Sequence, residues 1–182
     1  VFILGNLEEA GYFYHDLVQL LGEEKVLFFP SSFRRAIKYG QKDAANEILR
    51  TEVLSRLQKQ EKGLCIVTYP DALAEKVVSQ QELQEKTLKL FQGDRVDMQF
   101  VVDVLREFNF EFVDYVYEPG QYSVRGGIFD IFSYSESKPY RLDFFDNEIE
   151  SIRRFELSSQ LSNERLEEVD IISNINRANV GR

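Results

Sequence analysis

The sequence contains very few of the residues that build metal centres and disulfides. It has one cysteine, one histidine and no tryptophan among 182 residues. The lone Cys65 excludes a disulfide within the chain, fits a reducing compartment, and lies in an apolar run that predicts a buried thiol. Zinc sites combine several cysteine and histidine ligands, so the isolated His15 does not predict one. We therefore expect no bound metal.

Catalytic signatures are absent from the sequence as well. It has no phosphate loop, no dinucleotide-binding glycine pattern, no H-E-x-x-H motif and no G-x-S-x-G motif. Gly126 and Gly127 are adjacent, but they lie within a predicted strand, where a bend is more common than a phosphate site. No apolar run reaches the length of a membrane span. We expect a non-catalytic chain without a cofactor and outside the membrane.

Negative charge is concentrated in the second half of the chain. Residues 89–173 contain 9 basic and 18 acidic residues, and the whole chain has a net charge of −9. DNA-binding proteins gain most of their non-specific affinity by neutralising phosphates with basic side chains. The acidic segment is therefore a poor DNA binder, and its composition favours a protein partner.

The apolar pattern predicts two modules. Short apolar strands alternate with helices over residues 1–88, which is typical of a parallel α/β sheet covered on both faces. Residues 89–173 predict an α+β module, a helix followed by antiparallel strands. Residues 174–182 are expected to lead into a following subdomain, and residues 31–42 to form a loop. The first sheet is small, so we expect the chain to be a fragment of a longer protein.

One predicted strand indicates a binding surface. Side chains alternate along it, so Tyr140, Leu142 and Phe144 share an apolar face, while Arg141 and Phe145 share the other. An arginine near an exposed aromatic residue matches the composition of binding hot spots. In the alternative, Phe145 ends the strand and packs under a loop, and Arg141 pairs with a neighbouring carboxylate.

Two segments carry a long motif. Residues 125–132 read RGGIFDIF, and residues 139–153 read PYRLDFFDNEIESIR. They resemble the signature shared by the UvrB excision-repair proteins and the bacterial transcription-repair coupling factors (Mfd). The preceding elements follow the same order, so the resemblance covers nearly the whole chain. Residues 29–43 lack the paired tyrosines of the DNA-inserting hairpin of UvrB, which favours the amino-terminal UvrB-homology region of the coupling-factor family.

This resemblance implies a fold, a function and a site. The first subdomain would be a degenerate RecA-like fold, similar to UvrB domain 1a without its phosphate loop, and the second would be similar to UvrB domain 2. The second would dock the repair protein UvrA through Arg125, Arg141 and Phe145. The arginines would form single or bidentate charge-assisted bonds to carboxylates of UvrA, and Phe145 would be the apolar anchor. The chain would be a non-catalytic UvrA-recruiting module that links stalled RNA polymerase to nucleotide excision repair.

The resemblance places the other activities of the family outside this chain. The full-length members bind RNA polymerase, move along double-stranded DNA, and use ATP with Mg²⁺. We expect the present chain to be bacterial, cytoplasmic and monomeric. Two alternatives remain, namely a UvrB-type ATP-dependent damage-verification subunit and a structural domain with no specific role in repair.

Overall fold

A computed structural model describes residues 1–33 and 43–175 of the protein. The chain divides into two compact units, Val1–Gln80 and Gln81–Arg182. Sequence analysis placed this division after residue 88. Residues 34–42 of the predicted loop and residues 176–182 of the predicted lead-in lie outside the described residues.

The first unit is a parallel α/β fold. Its elements are β1 (Phe2–Ile3), α1 (Leu7–Leu21), β2 (Val26–Phe29), α2 (Ala44–Gln58), β3 (Cys65–Thr68) and α3 (Pro70–Leu73). The strands form one parallel sheet in the order β1-β3-β2. Apolar side chains of β2 and β3 pack with Ala10 of α1 and Val53 of α2, both of which are buried. The predicted α/β character of this part of the chain is confirmed.

Side-chain caps define where the two long helices of this unit begin. The Oδ1 atom of Asn6 accepts a hydrogen bond from the backbone N–H of Glu9 at 3.0 Å, and Oδ1 of Asp43 accepts one from Ala45 at 3.0 Å. These bonds satisfy amide groups that have no partner inside a helix. Helix α1 ends at Gly22, whose φ of 87° suits a residue without a Cβ.

A partly buried ion pair holds the chain that follows β2. Arg50 of α2 donates to the carbonyl oxygen of Pro30 at 2.8 Å and to that of Ala72 at 3.0 Å. Its Nη1 atom lies 3.7 Å from the carboxylate of Glu75, which also accepts hydrogen bonds from the two serines that follow Pro30. Burial alone would raise the pKa of Glu75, but the serine bonds and the Arg50 charge hold that pKa below its ordinary value.

The second unit is an α+β fold. Its elements are α4 (Gln80–Glu85), β4 (Thr87–Phe91), α5 (Met98–Glu107), β5 (Glu111–Phe112), β6 (Gln121–Arg125), β7 (Ile128–Ile131), β8 (Tyr140–Phe145), β9 (Glu148–Phe155), β10 (Ser162–Leu166) and β11 (Glu168–Ile172). Six strands form a sheet in the order β10-β9-β8-β7-β6-β5, in which β5 and β6 run parallel and the other neighbours antiparallel. Strands β4 and β11 form a separate antiparallel pair. The predicted α+β character is confirmed, although β4 and β10 were not predicted.

One face of the six-stranded sheet packs against α5. Val101 and Leu105 of the helix are fully buried in one cluster with Phe129, Leu142 and Ile152 of the sheet. Full burial of an aliphatic or aromatic side chain of this size contributes about 1.5–3 kcal/mol. This apolar face is therefore part of the core. A partner could contact only the opposite side of the sheet.

The adjacent glycines form a turn, which corrects the prediction of one bent strand. Strand β6 ends at Arg125 and β7 begins at Ile128, and these two residues are antiparallel partners. Gly126 has a φ of 59°, and a Cβ on Gly127 would lie 2.5 Å from the carbonyl oxygen of Phe144. A side chain fits poorly at either position. The chain reverses here and places β6 beside β7.

Candidate protein-binding surface

Strand β8 shows the alternation that its sequence predicts. Tyr140, Leu142 and Phe144 are buried in the core that faces α5, whereas Arg141 and Phe145 alternate with them on the other side. Phe145 is 70% exposed, so it does not pack under a loop. We call the side of the six-stranded sheet opposite α5 the outer face.

The pairing of β6, β7 and β8 brings polar and charged residues together at the centre of the outer face. Ser123 of β6 pairs with Asp130 of β7, and Asp130 pairs in turn with Arg141 of β8. Arg125 follows Ser123 by two residues and therefore shares its face. The turn between β6 and β7 thus brings Arg125 next to a carboxylate of the following strand.

Arg141 is held by a bidentate ion pair. Its Nε donates to Oδ1 of Asp130 at 2.7 Å, and its Nη2 donates to Oδ2 at 2.9 Å. The guanidinium group lies 4.2 Å from the ring centroid of Phe155, and Nη2 also donates to Oε1 of Gln160 at 3.1 Å. The hydrogen bonds to Asp130 raise the pKa of Arg141 above its ordinary value. Only 14% of this side chain is exposed, so Arg141 is largely fixed before any partner binds.

Arg125 reaches the same carboxylate from the neighbouring strand. Its Nη2 donates to Oδ2 of Asp130 at 2.7 Å, and its Nη1 donates to Oγ of Ser123 at 2.8 Å and to the carbonyl oxygen of Asp114 at 2.9 Å. The guanidinium group lies 4.8 Å from the ring centroid of Tyr115. With 33% of its side chain exposed, Arg125 is the more accessible of the two arginines.

Asp130 is the residue of this surface that sequence analysis missed. Its carboxylate is 1% exposed and accepts hydrogen bonds from both arginines. A buried carboxylate is rarely tolerated unless it is paired. An aspartate inside the apolar stretch IFDIF was the signal that could have revealed it, because such a residue needs cationic partners on neighbouring strands.

Phe145 lies at the other end of β8, beside an open cleft. About 13 Å of strand separate it from Arg141, since the two residues are four steps apart along an extended chain. The cleft has a volume of about 500 Å³ and is lined by Phe145, the hairpin residues that follow it, and residues 95–97. Asp146 turns the tight β8–β9 hairpin at a φ of 55°. The ring therefore projects from the hairpin into accessible space.

The described part of the chain contains neither a metal-binding cluster nor a helix that could span a membrane. No group of three or more histidine, cysteine or acidic side chains within residues 1–33 and 43–175 is arranged to hold a metal ion. Asp143, which lies on the outer face, instead accepts hydrogen bonds from Ser151 at 2.5 Å and from Arg153 at 2.6 Å. None of the described helices is long and apolar enough to cross a membrane.

Known proteins are similar to the second unit and to most of the whole chain. Residues 88–176 match the family model described as the UvrB interaction domain. The chain is 31% identical over 170 residues to the transcription-repair-coupling factor of Bacillus subtilis, which covers 93% of this chain and 14% of that protein. It is 32% identical over 123 residues to the factor of Escherichia coli, which covers 68% of this chain and 11% of that protein.

A third relative shows the same proportions. The transcription-repair-coupling factor of Haemophilus influenzae is 30% identical over 154 residues, which covers 84% of this chain and 13% of that protein. The chain thus spans only 11–14% of the length of these three relatives. Residues 88–176 thus match the UvrB interaction domain, in a chain that is homologous to part of the transcription-repair-coupling factors.

Proposed function

We propose that this chain is the UvrA-recruiting module of a transcription-repair coupling factor, and that it links stalled RNA polymerase to nucleotide excision repair. The outer face carries this proposal, because two ion-paired arginines and one exposed phenylalanine lie on the same side of the sheet. The family match of residues 88–176 supports it. In this proposal UvrA contacts Arg125, Arg141 and Phe145.

The charge of the second module favours a protein partner over DNA. Residues 89–173 contain twice as many acidic as basic residues, 18 against 9. Arg125 and Arg141 are both paired with Asp130, which further reduces their attraction for a phosphate backbone. Arginine and aromatic residues are instead enriched in protein–protein hot spots.

The proposed contacts divide into an apolar and a polar part. Phe145 enters an apolar depression of UvrA, where its exposed ring is removed from water. Arg125 and Arg141 supply charge-assisted hydrogen bonds to acceptors on UvrA. Recruitment of this kind makes and breaks no covalent bond, so we assign the chain no catalytic residue, cofactor or metal.

The remaining properties of the family are proposed for the full-length protein. We propose that RNA polymerase, double-stranded DNA, ATP and Mg²⁺ bind to other domains, and that the protein works in the bacterial cytoplasm. The first unit is proposed to be a degenerate RecA-like subdomain that supports the docking module. We propose that this chain is monomeric by itself.

Calorimetric titration of this chain with purified UvrA tests the proposal. We expect Arg125→Ala and Arg141→Ala each to weaken binding by roughly 5- to 30-fold, the range typical of interface hot spots. Arg106→Ala is the matched control, because Arg106 is exposed on α5, away from the outer face, and pairs with Asp103 at 3.6 Å. Thermal unfolding of each variant separates lost contacts from lost structure.

Two results would count against the proposal. If folded wild-type chain does not bind UvrA, or if Arg106→Ala weakens binding as much as the outer-face variants, the proposed surface is wrong. ATP binding by the same chain would instead support the UvrB-type alternative, which requires a nucleotide site. If the chain binds neither UvrA nor ATP, the remaining alternative is a structural domain with no specific role in repair.

A further inference from the structure

The two arginines of the outer face share one carboxylate, although they come from different strands. Asp130 accepts three hydrogen bonds of 2.7, 2.7 and 2.9 Å, one from Arg125 and two from Arg141. Both of its oxygens are used, and the residue is buried. Asp130 cannot itself be a major contact of a partner, because almost none of its surface is accessible.

We propose that Asp130 is a positioning residue for partner binding: it locks Arg125 and Arg141 into one geometry, so that the partner meets a preformed pair of cationic groups. This inference rests on the proposed function. Immobilising a long side chain at an interface costs conformational entropy, which weakens binding. Asp130 removes this cost from the binding step for both arginines, since the folded chain already holds them.

The same geometry restricts how a partner can use Arg141. Its Nε and Nη2 atoms are both engaged by Asp130, whereas Nη1 has only a long contact of 3.4 Å to the carbonyl oxygen of Gln160. A partner acceptor is therefore expected to bind the Nη1 edge alone. This favours a single charge-assisted bond over the bidentate alternative for Arg141.

Arg125 is less restricted than Arg141. Its Nη1 donates to Ser123 and Asp114, and one Nη2 hydrogen bond goes to Asp130. Among the residues that the structure describes, its Nε has no acceptor. The remaining N–H groups of the two arginines lie on β6 and β8, the strands on either side of β7, a spacing that only a partner with two separated acceptors satisfies fully.

If the role of Asp130 were purely electrostatic, neutralising it would strengthen partner binding, whereas a positioning role predicts weaker binding. Neutralising Asp130 removes a negative charge beside two arginines, which would strengthen attraction to acidic groups of a partner. A positioning role predicts weaker binding, because the freed arginines must be ordered again when the partner binds. The direction of the change in affinity therefore distinguishes the two roles.

The test is calorimetric titration of UvrA with Asp130→Asn in this chain. We expect about 10-fold weaker binding, consistent with the cost of ordering two long side chains. Asp170→Asn is the matched control, because Asp170 is also a buried carboxylate and pairs with Lys89 on the separate β4–β11 sheet. We expect the control to change affinity less than 2-fold.

A double-mutant cycle separates positioning from a general effect on structure. In an Arg141→Ala background, Asp130→Asn should weaken UvrA binding by less than about 3-fold. In a Phe145→Ala background it should weaken binding as much as in the wild type, because coupling is expected only between contacting residues. Equal penalties in both backgrounds would overturn the proposal. So would an Asp130→Asn variant that binds as tightly as wild type or more tightly.

A second variant covers the case in which Asp130→Asn does not fold. Arg141→Lys keeps the positive charge, but one ammonium group does not reproduce the two-point pair with Asp130. We expect it to bind UvrA about as weakly as Arg141→Ala, and wild-type affinity would refute positioning. Failure of positioning alone would leave the Arg125→Ala and Arg141→Ala losses intact, whereas absence of wild-type binding would refute the proposed function and this inference together.

Discussion

Replacing Phe145 with alanine should weaken UvrA binding without unfolding the chain. Removing a fully exposed phenylalanine from water contributes about 1.5–3 kcal/mol. Because 70% of Phe145 is exposed in the free chain, its complete burial by a partner is worth about 1–2 kcal/mol. The alanine variant should therefore bind roughly 5- to 30-fold more weakly. Stability should change by less than about 0.5 kcal/mol, since the ring contributes little to the core.

Calorimetry with purified UvrA and thermal unfolding of the same samples check both parts of this prediction. Phe100→Ala is the control, because Phe100 is 54% exposed on α5, which packs on the opposite side of the sheet. We expect the control to bind like wild type. Binding of Phe145→Ala within 2-fold of wild type would refute the assignment of Phe145 as the anchor, and an equal loss for Phe100→Ala would show that the effect is not specific to the outer face.

Two further predictions concern stability. Gly127→Ala should lower the free energy of unfolding more than Gly126→Ala in urea titrations, because the new Cβ at position 127 meets the carbonyl oxygen of Phe144 at 2.5 Å. Gly126 has open space around it, so its substitution adds only the backbone strain of a φ of 59°, about 1–2 kcal/mol. Equal losses of stability for the two variants would contradict this reasoning. Glu75→Gln should reduce the acid sensitivity of the first unit. The folded pKa of Glu75 lies below its ordinary value, so its ionised form adds stability that is complete above the ordinary carboxyl range and is lost as pH falls through the lowered pKa. Urea titrations at several pH values should give a flatter acid limb for the variant, and an unchanged limb would exclude this contribution.

Local sequence patterns were sufficient for much of the fold. The alternation along β8 follows from the two-residue period of a strand, and it is present in the structure. Strand β10 was not predicted, because its sequence SNERL is polar and has no apolar alternation. Its place at the edge of the sheet depends on pairing with β9, which is a contact between segments.

The glycine pair shows why part of the site could not be predicted. Two glycines within a β-rich segment are compatible with a bulge, a bend or a turn, and their sequence does not choose among these. The choice here follows from the close approach of Gly127 to Phe144 on β8. Once the chain reverses, Arg125 and Asp130 become neighbours across two strands. The shared face of Arg141 and Phe145 is therefore predictable from the sequence, whereas the carboxylate that joins the arginines is not.

The structure also predicts which substitutions will be easiest to interpret. Arg125 and Arg141 each balance the charge of Asp130, so their removal weakens the fold and the surface together. Removing either arginine leaves the buried Asp130 carboxylate with only one of its two cationic partners, which costs stability in itself. Phe145 has no such second role, because its ring is exposed and projects from a hairpin. A loss of affinity without a loss of stability is therefore expected at Phe145, whereas at the arginines both quantities should fall. This difference ties the binding data to the geometry of the outer face rather than to general destabilisation.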